Sequence, residues 1–206
     1  MDLRGRPNTG GRAGVSDDRE SAMLRPTPEI EAARRRWRHR GEVRPDFAHA
    51  DAAHEESVWD YPRPPMIVPD TRLVQVFAEG SLIADSRDCV RVLETASPPT
   101  FYLPPDDIEW DALEATDVRT TCEWKGIATA YDVLVDGERV VGAAWSYLEV
   151  FPDYQDLLGW VAFYPGLVSC FVERETVYPQ PGGSYGGWVT REIIGPFKGA
   201  AGTEDW

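Results

Sequence analysis

After Trp59, apolar and polar residues alternate in short runs that are separated by turn residues. The clearest pair of runs, residues 131–135 and 140–145, flanks Asp136-Gly137, a favoured two-residue turn of β-hairpins. The same alternation predicts further strands at residues 72–77, 81–84, 89–94, 100–103, 120–124, 160–164 and 167–174. One short helix is predicted over residues 105–113, where Asp106 and Asp107 suit the N-terminal dipole.

These elements predict a mainly β fold for residues 59–206. Many short strands with a single short helix are typical of a compact antiparallel domain with two sheets, either a sandwich or a half-open barrel. The segment before it differs in composition, so we divide the chain into residues 1–26, 27–58 and 59–206.

The N-terminal extension is predicted to carry one amphipathic helix. Residues 1–26 have almost no apolar periodicity and are predicted to be disordered. Thr27 then offers an N-cap, and Ile30, Ala33 and Trp37 share one face of a helix expected over residues 28–40. Its other face is rich in arginine, which suits a solvated surface, a partner-binding patch or docking on the acidic domain of the same chain.

Charge separates the two parts of the chain. Residues 1–58 hold 11 basic and 11 acidic residues, whereas residues 59–206 hold 10 basic and 24 acidic ones. The domain therefore carries the whole net charge of −14, which argues against nucleic-acid binding because that depends on neutralising phosphates. No apolar stretch is long enough for a membrane span or a signal peptide, so we expect a cytoplasmic protein with no membrane partner.

Histidine is absent from residues 59–206, since His39, His49 and His54 all precede them. A Ser-His-Asp or Cys-His site would require the extension to fold back, and the usual zinc ligands are missing. Phosphate loops and dinucleotide fingerprints are absent as well, so we expect neither a metal nor a cofactor. Cys89, Cys122 and Cys170 are widely spaced, which favours three free thiols.

Lysine is scarce: the chain has 19 arginines but only Lys125 and Lys198. Each stands in an aromatic-Lys-Gly string, Trp124-Lys125-Gly126 and Phe197-Lys198-Gly199. A compact ammonium, whose pKa falls on burial, can serve a site that a guanidinium cannot. Lys125 is therefore a candidate site residue.

Several aromatic and polar strings follow one another in the domain: Trp59 to Pro65, Ile83 to Ser86, Leu93 to Thr95, Pro98 to Tyr102, Cys122 to Gly126, Ala144 to Tyr147, Val161 to Tyr164 and Gly186 to Gly199. In this order they resemble the domain-of-unknown-function family 427, which also carries a nucleotidyltransferase label. The resemblance covers about residues 59–206 and implies a compact antiparallel β domain, two-sheeted or tent-like, without a defined reaction. Gly80-Ser81 lacks the Asp-x-Asp pair that a nucleotidyltransferase needs for Mg²⁺, so that activity is not expected.

The first functional hypothesis is a domain that binds a small anionic or planar molecule. Rings supply area in ligand pockets and a few polar groups fix orientation, although the same residues also build ordinary β cores. The candidate ligand-binding residues are Tyr61, Arg63, Tyr102, Lys125, Trp145 and Tyr147.

Two other functions stay open. An enzyme would use Lys125 or Cys122 as nucleophile or base, with Tyr147 or a carboxylate as acid. Lys125 can assist Cys122 only if the strand bends. A protein-interaction module would expose a patch of Trp160, Phe163 and Tyr164. The oligomeric state is left open, with a homodimer as one option.

Overall fold

The structure is a computed structural model that describes residues 21–49 and 52–206. An α-helix, α1, covers Pro28–Arg35, and short 3-10 helices cover Val58–Asp60, Pro105–Asp107, Trp110–Ala112 and Pro152–Leu157. The strands are β1 (Glu56–Ser57), β2 (Met66–Asp70), β3 (Val74–Ala78), β4 (Ser81–Ser86), β5 (Cys89–Glu94), β6 (Ser97–Tyr102), β7 (Leu113–Cys122), β8 (Gly126–Val135), β9 (Glu138–Val150), β10 (Val161–Phe163), β11 (Ser169–Val172), β12 (Glu175–Thr176), β13 (Tyr178–Pro179), β14 (Trp188–Val189) and β15 (Ile193–Ile194).

Three antiparallel sheets carry most of these strands. The first sheet has the order β10-β9-β8-β7, the second β12-β11-β3-β4 and the third β2-β5-β6. Two small pairs complete the fold: β13 pairs with β14, and β1 pairs in parallel with β15. The prediction of a mainly β, antiparallel domain is confirmed, with several sheets.

Of the three apolar clusters in the described residues, two contain strands of the first sheet. The larger joins strands of the first and second sheets and includes Val76, Phe101, Phe163 and Trp188, all at most 2% exposed. The other lies on the opposite side of the first sheet, where Tyr102, Tyr147 and Phe151 meet partly buried residues of the N-terminal segment. This second cluster places the extension next to the strands that carry the predicted site residues.

The helix predicted over residues 105–113 is wrong. Two 3-10 turns occupy its place, and Leu113 already begins β7, where it pairs with Val133. Ile108 forms an antiparallel bridge with Ala84 of β4. A continuous helix would forfeit these strand contacts, so tertiary pairing overrides the local helix signal.

The N-terminal helix is shorter than the predicted residues 28–40. It begins as expected, with Thr27 Oγ1 accepting a hydrogen bond from Ile30 N at 3.4 Å, but it ends at Arg35. The Arg40 side chain donates to Arg34 O at 3.0 Å and satisfies one of the free carbonyls at that end. The chain then leaves the helix, and Trp37 follows outside it.

Part of the predicted disordered segment pairs with the domain. Leu24 N donates to Val150 O at 2.7 Å, and Val150 N donates to Ala22 O at 2.9 Å. The remainder of that prediction, residues 1–20, lies outside the described residues.

The exposed patch of Trp160, Phe163 and Tyr164 that a protein-interaction module would need does not form. Phe163 is fully buried in the larger cluster, and the Tyr164 ring packs against Trp145 at a centroid distance of 4.4 Å. Over residues 21–49 and 52–206, the helices are all too short or too polar to cross a membrane.

Candidate functional site

A cavity of about 370 Å³ lies where the third sheet meets the ends of the first sheet. Its wall is formed by β6 residues up to Tyr102, by the β7–β8 turn, by Trp145 and Tyr147 of β9, and by the segment that carries Ser184 to Gly186. Six aromatic side chains line it: Trp37, Tyr102, Trp145, Tyr147, Tyr164 and Tyr185. We refer to it as the aromatic cavity.

The regular spacing of β9 explains how two of these rings meet. Trp145 and Tyr147 are two residues apart on the strand and therefore share a face. Tyr102, at the end of β6, contacts both, with centroid distances of 6.1 Å to Trp145 and 6.2 Å to Tyr147. Trp145 Nε1 also donates to the Tyr102 hydroxyl at 3.3 Å. These three rings form a fixed apolar wall with a polar edge.

Lys125 enters the aromatic cavity from the tight turn between β7 and β8. Cys122 pairs with Gly126 across this turn, so that only three residues connect the strands. The Lys125 side chain is 13% exposed, and its Nζ lies 3.7 Å from Glu94 Oε2. The turn supplies the bend that lets Cys122 and Lys125 line the same cavity.

Lys198 lines the same cavity from the C-terminal region. It is 4% exposed, and its Nζ lies 3.5 Å from the centroid of the Trp37 ring and 5.6 Å from that of Tyr185. Its hydrogen bond in the described residues is a long one, 3.4 Å, to Trp206 O. Both lysines of this chain therefore converge on one cavity.

The glycine after each lysine allows a backbone conformation and a close contact that other residues would not. Gly126 and Gly199 have φ angles of 137° and 126°, a region that favours glycine. A Cβ on Gly126 would overlap Glu149 O, and one on Gly199 would overlap Pro181 O. The aromatic-Lys-Gly strings thus let the backbone pack tightly right beside each lysine.

Glu94, the last residue of β5, links the lysine side of the cavity to the interior. Its Oε1 accepts from Arg63 Nε at 3.2 Å, while its Oε2 faces Lys125. The Arg63 side chain is 0% exposed and lies behind Glu94, outside the cavity lining. Arg63 therefore holds the carboxylate in place and does not face the cavity itself.

The N-terminal extension closes one side of the aromatic cavity. Trp37 Nε1 donates to Glu123 Oε1 at 2.6 Å, and Arg34 Nε donates to Glu123 O at 2.7 Å. The Arg34 guanidinium also lies over the Phe151 ring, 4.8 Å from its centroid. The extension therefore docks on its own domain. This was one of the three alternatives for its arginine-rich face.

The two lysines have opposite pKa shifts. Burial lowers the pKa of Lys125, but the acidic groups of Cys122, Glu94, Tyr102 and Tyr154 outweigh burial, so its pKa is raised and its amine stays protonated. Burial and then the Arg63 charge lower the pKa of Lys198 to about 8. The cavity thus holds one permanent cation and one amine that titrates near neutral pH.

The tyrosines of the wall stay protonated. Burial raises the pKa of Tyr102 to about 12 despite the opposing Lys125 charge. Burial also raises the pKa of Tyr147 well above its usual value, and the nearby acidic groups of Cys122 and Tyr102 add to the effect. Both phenols are consequently hydrogen-bond partners at neutral pH.

Most of the candidate site residues converge, and two do not. Tyr102, Cys122, Lys125, Trp145 and Tyr147 all line the aromatic cavity. Tyr61 is buried in a separate cluster with Val58 and Trp59, and Arg63 is occupied behind Glu94.

Sequence reasoning missed several residues of the wall. Trp37 comes from a segment expected to be a helix face, Tyr185 lies outside the strings that suggested a site, and Glu94 was one acidic residue among 35. Lys198 carried a usable signal, the shared aromatic-Lys-Gly string. None of the three histidines lines the cavity, and no cluster of metal-ligand side chains occurs in the described part of the chain.

Gly186 presses directly on the cavity wall. A Cβ at this position would overlap the six-membered ring of Trp145. We expect Gly186→Ala to lower the free energy of unfolding by about 1–3 kcal/mol, because a well-packed wall must shift to admit a methyl group. Denaturant unfolding followed by tryptophan fluorescence measures this loss.

Gly166→Ala is the matched control for that variant. Its Cβ would lie 3.5 Å from Pro179 Cβ, which is ordinary contact, so its stability should change by less than about 0.5 kcal/mol. Equal unfolding midpoints for the two variants would refute the tight contact between Gly186 and Trp145.

Comparison with family models shows which protein family the chain belongs to. The model of the family described as a domain of unknown function, DUF427, matches residues 66–174. The chain belongs to the DUF427 family. Comparison with curated proteins gave no match.

The DUF427 match covers one part of the cavity and excludes another. Glu94, Tyr102, Lys125, Trp145 and Tyr147 fall inside it. Trp37, Tyr185 and Lys198 lie outside the matched residues and close the cavity from its flanks. In this DUF427 protein, the matched region forms the floor, and the flanking segments complete the wall.

The Gly80-Ser81 turn is remote from this arrangement. It connects β3 and β4 of the second sheet and does not line the cavity. Asp85, the nearest following acidic residue, accepts a hydrogen bond from Gln75 Nε2 at 2.7 Å.

Proposed function

We propose that this DUF427 domain binds a small molecule with an anionic group and a planar part, inside the aromatic cavity. The observation that carries the proposal is the convergence of the chain's two lysines on one ring-lined space. The chain has 19 arginines, yet the two cationic side chains that line this cavity are its two lysines. An ammonium is compact and its pKa changes with its surroundings, whereas a guanidinium is bulky and stays charged.

Both ammonium groups have spare hydrogen-bonding capacity. An ammonium carries three donors. Within residues 21–49 and 52–206, Lys125 Nζ makes the 3.7 Å ion pair with Glu94 and no hydrogen bond, while Lys198 Nζ has its bond of 3.4 Å to Trp206 O. Oxygen atoms of a carboxylate or phosphate would complete both groups.

The acidic side chains of the wall, Glu94 and Glu123, are compatible with binding of an anion. Glu94 is paired with Arg63 and Lys125, and Glu123 accepts from Trp37 Nε1. The charge of Glu94 is therefore compensated by two cations, and the Glu123 carboxylate is held by the indole N–H.

The rings suit the planar part of the ligand. Tyr102, Trp145 and Tyr147 form a connected surface, and buried ring pairs prefer offset-stacked or edge-to-face contacts. A volume of about 370 Å³ is in the usual range for small-molecule sites.

A reaction in the same cavity is the second candidate. The observation that favours it is the β7–β8 turn, which brings Cys122 and Lys125 to one wall and puts Cys122 beside Tyr147. Because Lys125 stays protonated, its part in such a reaction would be to stabilise negative charge, and Cys122 would be the nucleophile.

Calorimetric titration of the full chain with benzoate and phenyl phosphate tests the binding proposal. We expect both anions to bind, and Lys125→Met and Lys198→Met each to weaken binding by about 10–100-fold, because a hydrogen bond to a charged group contributes about 1.5–3 kcal/mol. Benzyl alcohol, which has no charge, should bind weakly and equally to all three proteins.

Arg119→Met is the matched control. Arg119 pairs with Glu149 on the surface of the first sheet, outside the cavity lining, and its side chain is 50% exposed. It should bind both anions as the unaltered protein does. Failure of both anions to bind, or equal affinity in the lysine variants, would contradict the proposed function.

A further inference from the structure

We propose that Lys198 is a nucleophilic amine, which forms an imine with the carbonyl carbon of an aldehyde or ketone whose anionic group is held by Lys125. The inference rests on the proposed function for the anionic group and adds the substrate class, an anionic carbonyl compound. It also divides the work of the two lysines between a covalent and an electrostatic contact.

The surroundings of Lys198 lower its pKa, so that more of its amine is uncharged than at an exposed lysine. Its side chain lies between the Trp37 and Tyr185 rings, and among the described residues a protonated amine would have three donors but one hydrogen-bond acceptor, Trp206 O at 3.4 Å. A charged group with so few partners is costly to bury. A neutral amine in the same position has a lone pair free to attack a carbonyl carbon.

The charges around Lys198 come from several segments. Arg63 opposes its protonation, and the Trp37 ring face favours it through a cation–π contact. The charged or titratable groups that face it are Arg63, Glu94, Glu123, Asp205 and the phenol of Tyr185. Together with burial, these groups leave the pKa of Lys198 at about 8, so a useful fraction of the amine is neutral at physiological pH.

Lys125 differs from Lys198 in the direction of its pKa shift. Glu94 Oε2 lies 3.7 Å from its Nζ, and the pKa of Lys125 is raised in spite of burial, so it keeps its proton. Two titratable groups of the same type with opposite shifts in one cavity indicate separate roles. The protonated lysine holds an anion, and the neutral lysine attacks.

The step needs no oxidant, reductant or cofactor. The Lys198 Nζ lone pair forms a C–N bond while the C=O π electrons move to oxygen, which takes up a proton and gives a carbinolamine. The nitrogen loses one proton to give the neutral carbinolamine, and the hydroxyl then gains one through solvent and leaves as water while the nitrogen lone pair forms the C=N bond. The resulting iminium loses its remaining N–H proton to solvent, so that the two protons taken up by oxygen equal the two lost from nitrogen. Amine and carbonyl compound thus become imine and water.

Reductive trapping tests the proposal on the full chain. The probe is 4-carboxybenzaldehyde, a planar anionic aldehyde, with cyanoborohydride to reduce the imine at pH 8, followed by intact mass and peptide mapping. The chain has two lysines, so any adduct is assigned to Lys125, Lys198 or the α-amine. We expect an adduct at Lys198 and none at Lys125.

Variants separate the two roles. Lys198→Arg should lose the adduct at position 198. Lys125→Met should slow the labelling of Lys198 by 4-carboxybenzaldehyde about tenfold or more relative to its effect on labelling by uncharged benzaldehyde, because one charged hydrogen bond to the probe is lost. The initial rate at Lys198 should level off above about pH 8, whereas an ordinary exposed lysine continues to gain reactivity to higher pH.

The failures of the two proposals are distinguishable. Calorimetry with 4-(hydroxymethyl)benzoate, which has the same anion but no carbonyl, measures the non-covalent site alone. Binding of this compound without any adduct at Lys198 would overturn the imine proposal and leave the anion site standing. An adduct at Lys125 in place of Lys198 would overturn the assignment of roles.

Discussion

Arg63→Met is expected to lower the free energy of unfolding by about 3–5 kcal/mol, since removing one partner of a buried ion pair leaves the other uncompensated. Arg63 donates to Glu94 Oε1 at 3.2 Å, to Thr95 O at 2.7 Å, to His39 O at 3.0 Å and to Trp206 O at 3.1 Å. Methionine fills a similar space but satisfies none of these acceptors. Chemical denaturation at pH 7 measures the loss.

Arg63 also joins three distant parts of the chain. Its guanidinium lies 4.5 Å from the centroid of the Trp37 ring and bonds to the extension, to β5 and its following turn, and to the C-terminal residue. Hydrogen exchange should therefore show loss of protection around Trp37 in Arg63→Met, because the contact that holds this segment against the domain is gone.

Two further variants serve as controls for the Arg63→Met prediction. Arg119→Met removes an exposed ion pair and should cost no more than about 1 kcal/mol. Arg63→Lys keeps the charge but not the planar fork, so it should fall between the two. If Arg63→Met unfolds at the same denaturant concentration as Arg119→Met, Arg63 does not have the structural role described for it.

Lys198→Met is expected to stabilise the ligand-free protein at pH 7 by about 3 kcal/mol, since the pKa of lysine is 10.5 in its ordinary state and about 8 here. The folded state binds this proton less tightly than the unfolded chain does. Protonation of Lys198 therefore costs stability, and the whole cost is present below about pH 8. The cation–π contact with Trp37 is lost in the variant and offsets part of the gain.

The sign of the pH dependence follows from the same shift. Between about pH 8 and 10.5 the unfolded state binds this proton and the folded state does not, so the stability of the unaltered protein rises with pH through this window. Lys198→Met lacks this rise, and the stability difference between the two proteins should shrink toward zero near pH 10.5. Other groups that titrate there, including Lys125 and the buried tyrosines, are common to both proteins and cancel in the difference.

Denaturant unfolding of both proteins at pH 7 and at pH 9.5 measures the effect. Lys125→Met serves as the matched control, because a lysine whose pKa is raised contributes stability at pH 7, so its loss should destabilise. A Lys198→Met variant that is less stable than the unaltered protein at pH 7 would show that the buried amine is not strained.

Such strain fits a functional position. Natural proteins accept destabilising groups where a ligand requires them, and replacing those groups gains stability at the expense of function. The combination of increased stability and lost anion binding in Lys198→Met would be difficult to explain for a residue of the ordinary core.

Local patterns of the sequence were sufficient for the strands and for several site residues. The hairpin at Asp136-Gly137 forms as predicted, between β8 and β9. Trp145 and Tyr147 share a face because of the two-residue period of a strand, which holds in any β environment. The two aromatic-Lys-Gly strings also indicated a shared feature of the two lysines. Each lysine is followed by a glycine because the backbone packs tightly at that position.

Predictions that depended on partners distant in sequence were less successful. Residues 105–113 have a helical pattern, but Ile108 and Leu113 are used by neighbouring strands. Arg63 was a candidate ligand-binding residue, and only the fold shows that its donors are already bound by Glu94 and three backbone oxygen atoms.

The sequence by itself determined the β class, the family resemblance, the absence of histidine from residues 59–206 and the scarcity of lysine. Tertiary structure alone decided that both lysines meet in one cavity and that their pKa values move in opposite directions. The reason is physical: the charge state of an amine depends on its burial and on the charges within a few ångströms. For Lys125 and Lys198 those neighbours come from segments far apart in the chain.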